Sequence, residues 1–436
     1  MDIEKKFEEL IPENMLRRGD VTLEAILGPI RKVFHQRKFM LESLSDFQID
    51  LLLRILAALD TDKDPEAARV GEREARTASP LVDSLSAGFN HGIGRSGHIT
   101  APQPKAPGAS LMQQIVNQIA FDALRRLGLS NIKSGMVLPL STGMSLGLVA
   151  STLRKKYGIS KIISPRIDHI SPERGVSLVG LEFESTPTLL NGDAVEVDLD
   201  VLESKIQQEV NIGVLATTTF FPPRVSDPVK EIAKLCQAHD VPLIVNNAYG
   251  VQSLDIMQSL QRAIDAGRVD MIVQSGDKNF LAPVGSSILV SPSEDIVEAT
   301  AESYAGRATA APLVQTLASL LSLGLERYVD LRFQQMECRK LLDEKLIEIS
   351  EAVGQRVLDT SNPIAAAMTL DGIDVASLGG KLYNRRVTGP RAIAAGEYGS
   401  CIDNYPSSYI VMNAAIGATK SDIEAATTKL YKELSD

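Results

Sequence analysis

At 436 residues, with 44% hydrophobic and 23% charged side chains, the chain has material for two or three folded units and no compositional sign of disorder. A net charge of −10 excludes a broad positive field for coating nucleic acid, and no stretch approaches about 18 uninterrupted apolar residues, so no membrane span is expected. Cys236, Cys338 and Cys401 stand far apart without C-x-x-C spacing, which excludes a disulfide framework or zinc ribbon, gives no metal site, and suits a reducing cytoplasm.

The opening "MDIEKKFEELIPENMLRRGD" is charged throughout and lacks an apolar signal core. Apolar residues at three- and four-residue intervals predict helices over "FEELIPENML", "LEAILGPIRKVFHQRKF" and "SDFQIDLLLRILAAL". This part also carries Arg17, Arg18, Arg31, Lys32, Arg37 and Lys38 against only Asp20 and Glu24; a solvated helix face is the ordinary explanation for such a run. From Gly71 to Ser110 periodicity is lost and Gly, Pro, Ser and His accumulate, as in a long functional loop. From Leu111 onward helical patterns alternate with short apolar runs such as "GMVLPL", "KIISPRID", "NIGVLATTT", "VPLIVNN" and "VDMIVQS". That alternation predicts βαβ units around a largely parallel sheet. A long helix is expected from about Leu313 to Glu351, then strands in "AAAMTL" and "SYIVMNAAI" and a terminal helix over "KSDIEAATTKLYKEL". The fold class is therefore α/β with a mainly parallel sheet. Residues 1–65 form an N-terminal helical extension, 66–310 a large domain, and 311–436 a smaller α+β domain.

In an open α/β sheet ligands bind beyond the carboxyl ends of the strands, and three such ends carry polar residues. "VLPL" runs into Ser141, Thr142, Gly143, Met144 and Ser145 at a helix start, where backbone N–H groups and a hydroxyl can hold an anion. "VPLIV" ends in Asn246 and Asn247, and "DMIVQ" ends in Ser275 and then Lys278. Lys278 lies between two stretches with the look of buried strands, where an unpaired charge would cost several kcal/mol. Either the lysine is an ordinary turn residue reaching water, or its charge is removed chemically. The second choice describes a pyridoxal phosphate site. The phosphate lies on Thr142, Gly143, Met144 and Ser275, the ring nitrogen faces Asn246, and Lys278 forms the Schiff base.

The strings "GERE", "HGIGRSG", "QPKAPGAS", "TGMSL", "PRID", "VNNAYGVQS", "DKNF", "PVG" and "GRA", together with "NYPSSY" near the end, resemble the O-phosphoseryl-tRNA(Sec):selenocysteinyl-tRNA synthase family over nearly the whole chain. With no acidic tail after Asp436, the chain is similar to an archaeal member. The resemblance implies a fold-type I pyridoxal phosphate enzyme in the cytoplasm, a homotetramer with active sites shared between subunits. It implies conversion of O-phosphoseryl-tRNA(Sec) to selenocysteinyl-tRNA(Sec) with selenophosphate as selenium donor. It makes Lys278 the catalytic lysine and Arg73 an arginine reaching the cofactor phosphate of a neighbouring subunit. Arg95, Ser96, Gln103 and Arg307 would hold the substrate phosphate, for which guanidinium forks suit an oxyanion better than a lysine point charge. Arg76 and Lys105 keep the ordinary reading of surface ion pairs.

Glu72 matches a carboxylate that filters out free amino acids. Arg391, ending "RRVTGPR", matches an arginine that reads the discriminator base, with Arg385 and Arg386 as weaker phosphate contacts. Arg31, Lys32, Arg37 and Lys38 become candidates for the tRNA. Asn246 stands where commoner pyridoxal enzymes carry aspartate, and His169 takes the position that stacks on the cofactor ring, with a satisfied core histidine as its alternative. The remaining alternatives are a sulfur-transferring relative, a cysteine desulfurase and an inactive tRNA-binding scaffold.

Overall fold

The computed structural model describes residues 10–435. Helix α1 (Glu13–Gln36) opens after Pro12, and Leu10 and Ile11 lie in a turn and a bend, so the helix expected through "FEELIPENML" does not form across that point. Proline lacks the N–H and disfavours helix in the residue before it, which explains the late start; residues 7–9 of that string lie outside the described residues. Helix α2 (Asp46–Ala57) begins with a reciprocal cap, in which Ser45 and Gln48 each accept the other's backbone N–H. Ile30 and Val33 of α1 and Ile49, Leu52 and Leu56 of α2 belong to the same core as the central sheet.

The long segment after α2 holds a 3-10 turn (Thr61–Lys63) and the short helix α3 (Pro80–Leu85), and leads to α4 (Pro107–Arg126), which starts ahead of the expected Leu111. The Asp60 carboxylate accepts N–H bonds from Gly108 (2.8 Å) and Ala109 (3.1 Å) and so supplies a cap from a distant part of the chain.

The alternation then proceeds as β1 (Ser134–Leu138), α5 (Thr142–Tyr157), β2 (Lys161–Pro165), α6 (Ile170–Leu178) and β3 (Glu182–Thr186). A hairpin of β4 (Thr188–Asn191) and β5 (Ala194–Val197) and helix α7 (Leu199–Gln208) precede β6 (Ile212–Thr217), α8 (Val229–Ala238), β7 (Leu243–Asn246) and α9 (Leu254–Ala266). Next come β8 (Met271–Ser275), the single turn α10 (Gly276–Phe280), β9 (Ser287–Ser291) and α11 (Glu294–Glu302). The seven-stranded sheet has the order β1-β9-β8-β7-β6-β2-β3, with β9 antiparallel to both neighbours and the other pairings parallel. Strands buried on both faces explain why β6, β7 and β8 read as continuous apolar runs without alternation.

Helix α12 (Ala311–Ala352) contributes Leu313, Leu317 and Leu320 to the central core, and Cys338, Leu342 and Leu346 to a second core. The second core is completed by α13 (Val375–Asn384), α14 (Lys420–Ser435) and a three-stranded antiparallel sheet, ordered β10 (Ala365–Thr369), β12 (Tyr409–Asn413), β11 (Arg391–Ile393). Between its two halves α12 breaks at Gly324, with φ 60° and ψ 172°. The backbone groups freed by the break bond to the connection between α1 and α2: Leu44 N–H to Leu321 O (2.8 Å) and Leu325 N–H to Met40 O (2.8 Å). Among the described residues no helix is long and apolar enough to cross a membrane.

A Cβ at position 324 would lie 2.8 Å from backbone atoms of Glu42 and Ser43, in a region of φ/ψ open essentially to glycine. Gly324→Ala should therefore destabilise the fold by about 2 kcal/mol or more, read as a thermal midpoint several degrees lower. An unchanged midpoint would show that the break is not required.

Candidate active site

The carboxyl ends of β2, β7 and β8, with the amino end of α5, enclose a cavity of about 260 Å³. It is lined by Thr142, Gly143, His169, Asn246, Ser275 and Lys278, six of the residues singled out in the sequence, and also by Phe220, Phe221, Tyr249 and Asp277. Lys278 lies on α10, and its Nζ is 3.4 Å from Ser275 Oγ, 3.3 Å from Asp277 Oδ2 and 5.5 Å from the Tyr249 ring centroid. Its side chain is 33% exposed, so the ammonium faces the cavity with a carboxylate beside it and is not sealed in the core. The premise of a buried, unpaired lysine is thus corrected. The strands on either side are buried, but the short helix between them turns the side chain outward.

Thr142 opens α5, and its Oγ1 is buried without a hydrogen-bond partner; Asn246 Oδ1 is in the same condition. Unpaired buried oxygens are costly, so both groups fit a polar ligand in this cavity. An anion at the start of the sixteen-residue α5, with a flat ring reaching Asn246 and Lys278, matches the dimensions and donors of pyridoxal phosphate. Ser275 fits less directly, because its hydroxyl already donates to Asp277. Met144 is exposed and is not among the residues lining the cavity.

His169 caps the start of α6 and meets Phe220 edge-on, with centroids 6.3 Å apart. Burial, then the charges of Arg391 and Lys278, push its pKa below the usual imidazole value and keep the ring neutral. The Arg391 guanidinium lies over Phe221, 5.2 Å from its centroid, which sets a cation on the aromatic wall of the same cavity.

A second cavity, of about 540 Å³ and sharing no lining residue with the first, contains Arg73, Asn90, His91 and Arg307. Arg73 Nη2 donates to Asn90 O (2.6 Å). Arg95 and Ser96 are exposed on a tight turn closed by two 3.0 Å bonds between Arg95 and His98. The Gln103 backbone N–H donates to Ser110 Oγ (2.9 Å), and its residue is half-buried. Lys105 pairs with Glu74, a surface ion pair as its ordinary reading has it, whereas Arg76 donates to the carbonyl oxygens of Arg69 (2.6 Å) and Arg73 (3.4 Å) and not to a carboxylate. Glu72, beside them, is exposed and makes no ion pair among the described residues.

Along α1 Arg31 pairs with Glu24 (2.5 Å), while Lys32, Arg37 and Lys38 are exposed without ion-pair partners among the described residues. Arg385 pairs with Glu433, and Arg386 takes a left-handed backbone with φ 62°. All three cysteines are buried, and burial pushes Cys236 and Cys401 up to about 12, far from the exposed thiolate that a persulfide carrier needs.

Phe220, Phe221 and Asp277 had gone unnoticed. The aromatic pair follows β6 with no local signal beyond its place at a strand end, whereas Tyr249 and Asp277 lay inside the strings "VNNAYGVQS" and "DKNF".

The family model for O-phosphoseryl-tRNA(Sec) selenium transferase, SepSecS, matches residues 59–435. The enzyme of that name from Methanococcus maripaludis is 44% identical over 98% of both chains, and that of Methanocaldococcus jannaschii is 42% identical over 98% of both. A crystal structure of archaeal SepSecS superposes with a TM-score of 0.94 at 44% identity, covering 97% of this chain and 98% of that one. Tryptophan decarboxylase from Catharanthus roseus, at 13% identity and a TM-score of 0.61 over 98% and 99% of the two chains, shares the fold alone. The fold is that of the fold-type I pyridoxal phosphate enzymes. The chain belongs to the O-phosphoseryl-tRNA(Sec) selenium transferase family.

Proposed function

We propose that this chain converts O-phosphoseryl-tRNA(Sec) to selenocysteinyl-tRNA(Sec) in the cytoplasm, with selenophosphate as selenium donor and pyridoxal phosphate as cofactor. The observation that carries the reading is the meeting of Lys278 with two unpartnered oxygens, Thr142 Oγ1 and Asn246 Oδ1, in one cavity. Bound there, pyridoxal phosphate supplies the electron sink that lets a Cα proton leave and a β-phosphate depart. Thr142, Gly143 and the first N–H groups of α5 hold its phosphate, with Ser275 nearby and Met144 contributing backbone only. Asn246 meets the ring nitrogen with an uncharged amide, so that nitrogen is held protonated less firmly than an aspartate would hold it. The neutral His169 ring covers one face.

Lys278 Nζ takes the Cα proton, with Asp277 3.3 Å away to steady its charged form. Arg95, Ser96, Gln103 and Arg307 receive the phosphate of the substrate, and Arg391, on the aromatic wall, meets the arriving end of the tRNA. Lys278 lines one cavity and Arg73 and Arg307 another, which supports a homotetramer in which one subunit's Arg73 and its neighbours complete the Lys278 cavity of another. Apolar side chains left in water fit that assembly on both sides: Val70 (95% exposed), Leu81 and Leu85 near Arg73, and Val284 (79%) near Lys278.

Lys278→Ala should abolish turnover and the visible absorbance of the bound cofactor while leaving assembly and tRNA affinity intact. Substantial turnover in the purified variant would remove Lys278 from its role.

The exposed cations of α1 and the turn after it are assigned to the tRNA backbone. Reversing Arg31, Lys32, Arg37 and Lys38 together to glutamate should weaken tRNA binding and flatten its dependence on salt, by up to about one unit of log–log slope per lost phosphate contact. A slope equal to the parent's would return these residues to a solvated face.

Among the described residues Glu72 has no cationic partner of its own, so its charge is available to a ligand. Free phosphoserine carries an ionised α-carboxylate, whereas the tRNA ester does not, and a fixed negative charge repels only the first. Glu72→Gln should release phosphate from free phosphoserine measurably faster than the parent at equal cofactor occupancy, with tRNA-linked turnover changed less. Equal rejection of free phosphoserine by both proteins would leave discrimination to the tRNA body.

A further inference from the structure

The second cavity contains a titratable group to which the reading above gives no part. His91 lines it together with Arg73 and Arg307, yet its side chain is only 4% exposed. Among the described residues its Nε2 has no hydrogen-bond partner, and it lies 3.8 Å from Asp62 Oδ1, which is likewise buried and unpartnered. At that distance the two attract as charges but do not share a hydrogen bond. The other oxygen of Asp62 accepts from Lys63 Nζ (2.6 Å), which also reaches Asp83 (3.6 Å). Glu74, its partner Lys105, and Arg307 complete the charges acting on the imidazole, and Asp62 also acts on the neighbouring carboxyl of Asp60. The approach of the two strands of chain is fixed by backbone: Ile93 N–H bonds Ala308 O (2.9 Å), and a Cβ at Gly92, whose φ is 71°, would strike that same oxygen at 2.3 Å. His91 and Arg307 are therefore held on one cavity wall.

A merely structural buried histidine would be expected to donate to a backbone carbonyl or a carboxylate at bonding distance. His91 instead has an unfilled ring nitrogen facing a carboxylate, beside Arg73 and Arg307, which form no ion pair among the described residues. In the empty cavity burial holds the imidazole below its usual pKa, with Asp62 and Glu74 opposing. An incoming dianion adds negative charge on the other side and reverses that balance.

We infer that His91 is the proton-linked member of the anion cavity: a phosphate group entering beside Arg307 draws one proton from solvent onto His91, and the resulting imidazolium, backed by Asp62, binds it with the arginine. The inference rests on the reading of that cavity as the substrate-phosphate site. It makes His91 a determinant of affinity for the phosphate dianion and assigns Asp62 a positioning role. The sign follows from the bound state. Anion binding raises the imidazole pKa, so affinity is full below the pKa of the empty site and falls as pH rises toward the pKa of the occupied one, by up to about tenfold per pH unit.

Sulfate is a suitable probe, because it is a dianion that does not itself titrate near neutrality, and the holoenzyme keeps the cofactor's own phosphate site filled. Calorimetry between about pH 6 and about pH 8.5 should show sulfate affinity declining in the parent. His91→Asn should bind as weakly as the parent does at high pH, with a much flatter profile, and Asp62→Asn should move the decline to lower pH. Asp60, whose carboxyl burial raises to about 6, contributes equally to the parent and His91→Asn, so the difference between their profiles belongs to His91. Titrations near neutral pH in two buffers of unlike ionisation heat should count about one proton taken up per sulfate in the parent, a readout that needs no variant. Sulfate binding that is lost in Arg307→Ala but neither pH-dependent nor coupled to proton uptake overturns the role of His91 and leaves the anion cavity standing. No sulfate binding to the parent at any pH overturns both.

Discussion

The chemistry proposed for this chain depends on holding one turn still, and two buried amides do most of that. The turn α10 must reverse the chain from β8 into the antiparallel β9 while presenting Lys278 to the cavity. Asn279 Nδ2 donates to Ser275 O and to Ala248 O, both at 2.8 Å, which ties the turn to the end of β8 and to the loop after β7. Gln252 Nε2 donates to Lys278 O (2.8 Å), and Gln252 Oε1 accepts from Ile416 N–H (2.7 Å) in the smaller C-terminal unit. The Gln252 carbonyl in turn accepts from Arg332, on α12 beyond its break (3.1 Å). A lysine side chain has four rotatable carbons, so only a fixed backbone confines its amine to the small volume in which proton transfer is productive.

The break at Gly324 belongs to the same arrangement. A continuous α12 would carry Arg332 and the second core along another axis, away from Gln252. The glycine at φ 60° lets the first half of α12 pack on the central sheet while the second half anchors the small domain. Arg391, on β11 of that domain, then arrives over Phe221 at the cavity. Stability of the small domain and geometry of the lysine turn are thereby coupled through named hydrogen bonds, and backbone strain at one residue bears on the site.

The parallel sheet was legible because strands buried on both faces must be apolar throughout, and its polar strand ends stood out against those runs. Lys278, Asn246 and Thr142 could be read for that reason. What could not be read depends on contacts between distant segments. The antiparallel sense of β9 is invisible in a run as apolar as the strands of the parallel set, and the start of α4 is set by Asp60, nearly fifty positions earlier in the chain. The helical character of α1 and α2 was evident, but not their share in the central core, because periodicity shows that a face is apolar and not what covers it. The break at Gly324 was missed because a single glycine within a helical pattern is usually tolerated. His91 lay in the recognised string "HGIGRSG", yet its pairing with Asp62 joins parts of the chain that no local pattern connects.

The separation of the two cavities has a physical rationale. A dianionic leaving group needs a dense positive field, but cations gathered in one folding chain with no dianion between them repel one another. Within one chain Lys278 has Asp277 beside it, while Arg73, Arg307 and His91 gather elsewhere with Asp62 and Glu74 as countercharges. Keeping the halves apart lets each fold with its charges balanced, and under the proposed assembly the full field acts on the substrate only where the second half is brought up by another copy. In the proposed tetramer the exposed apolar residues near each cavity supply the attraction for that contact, and assembly becomes the step that completes the catalytic electrostatics.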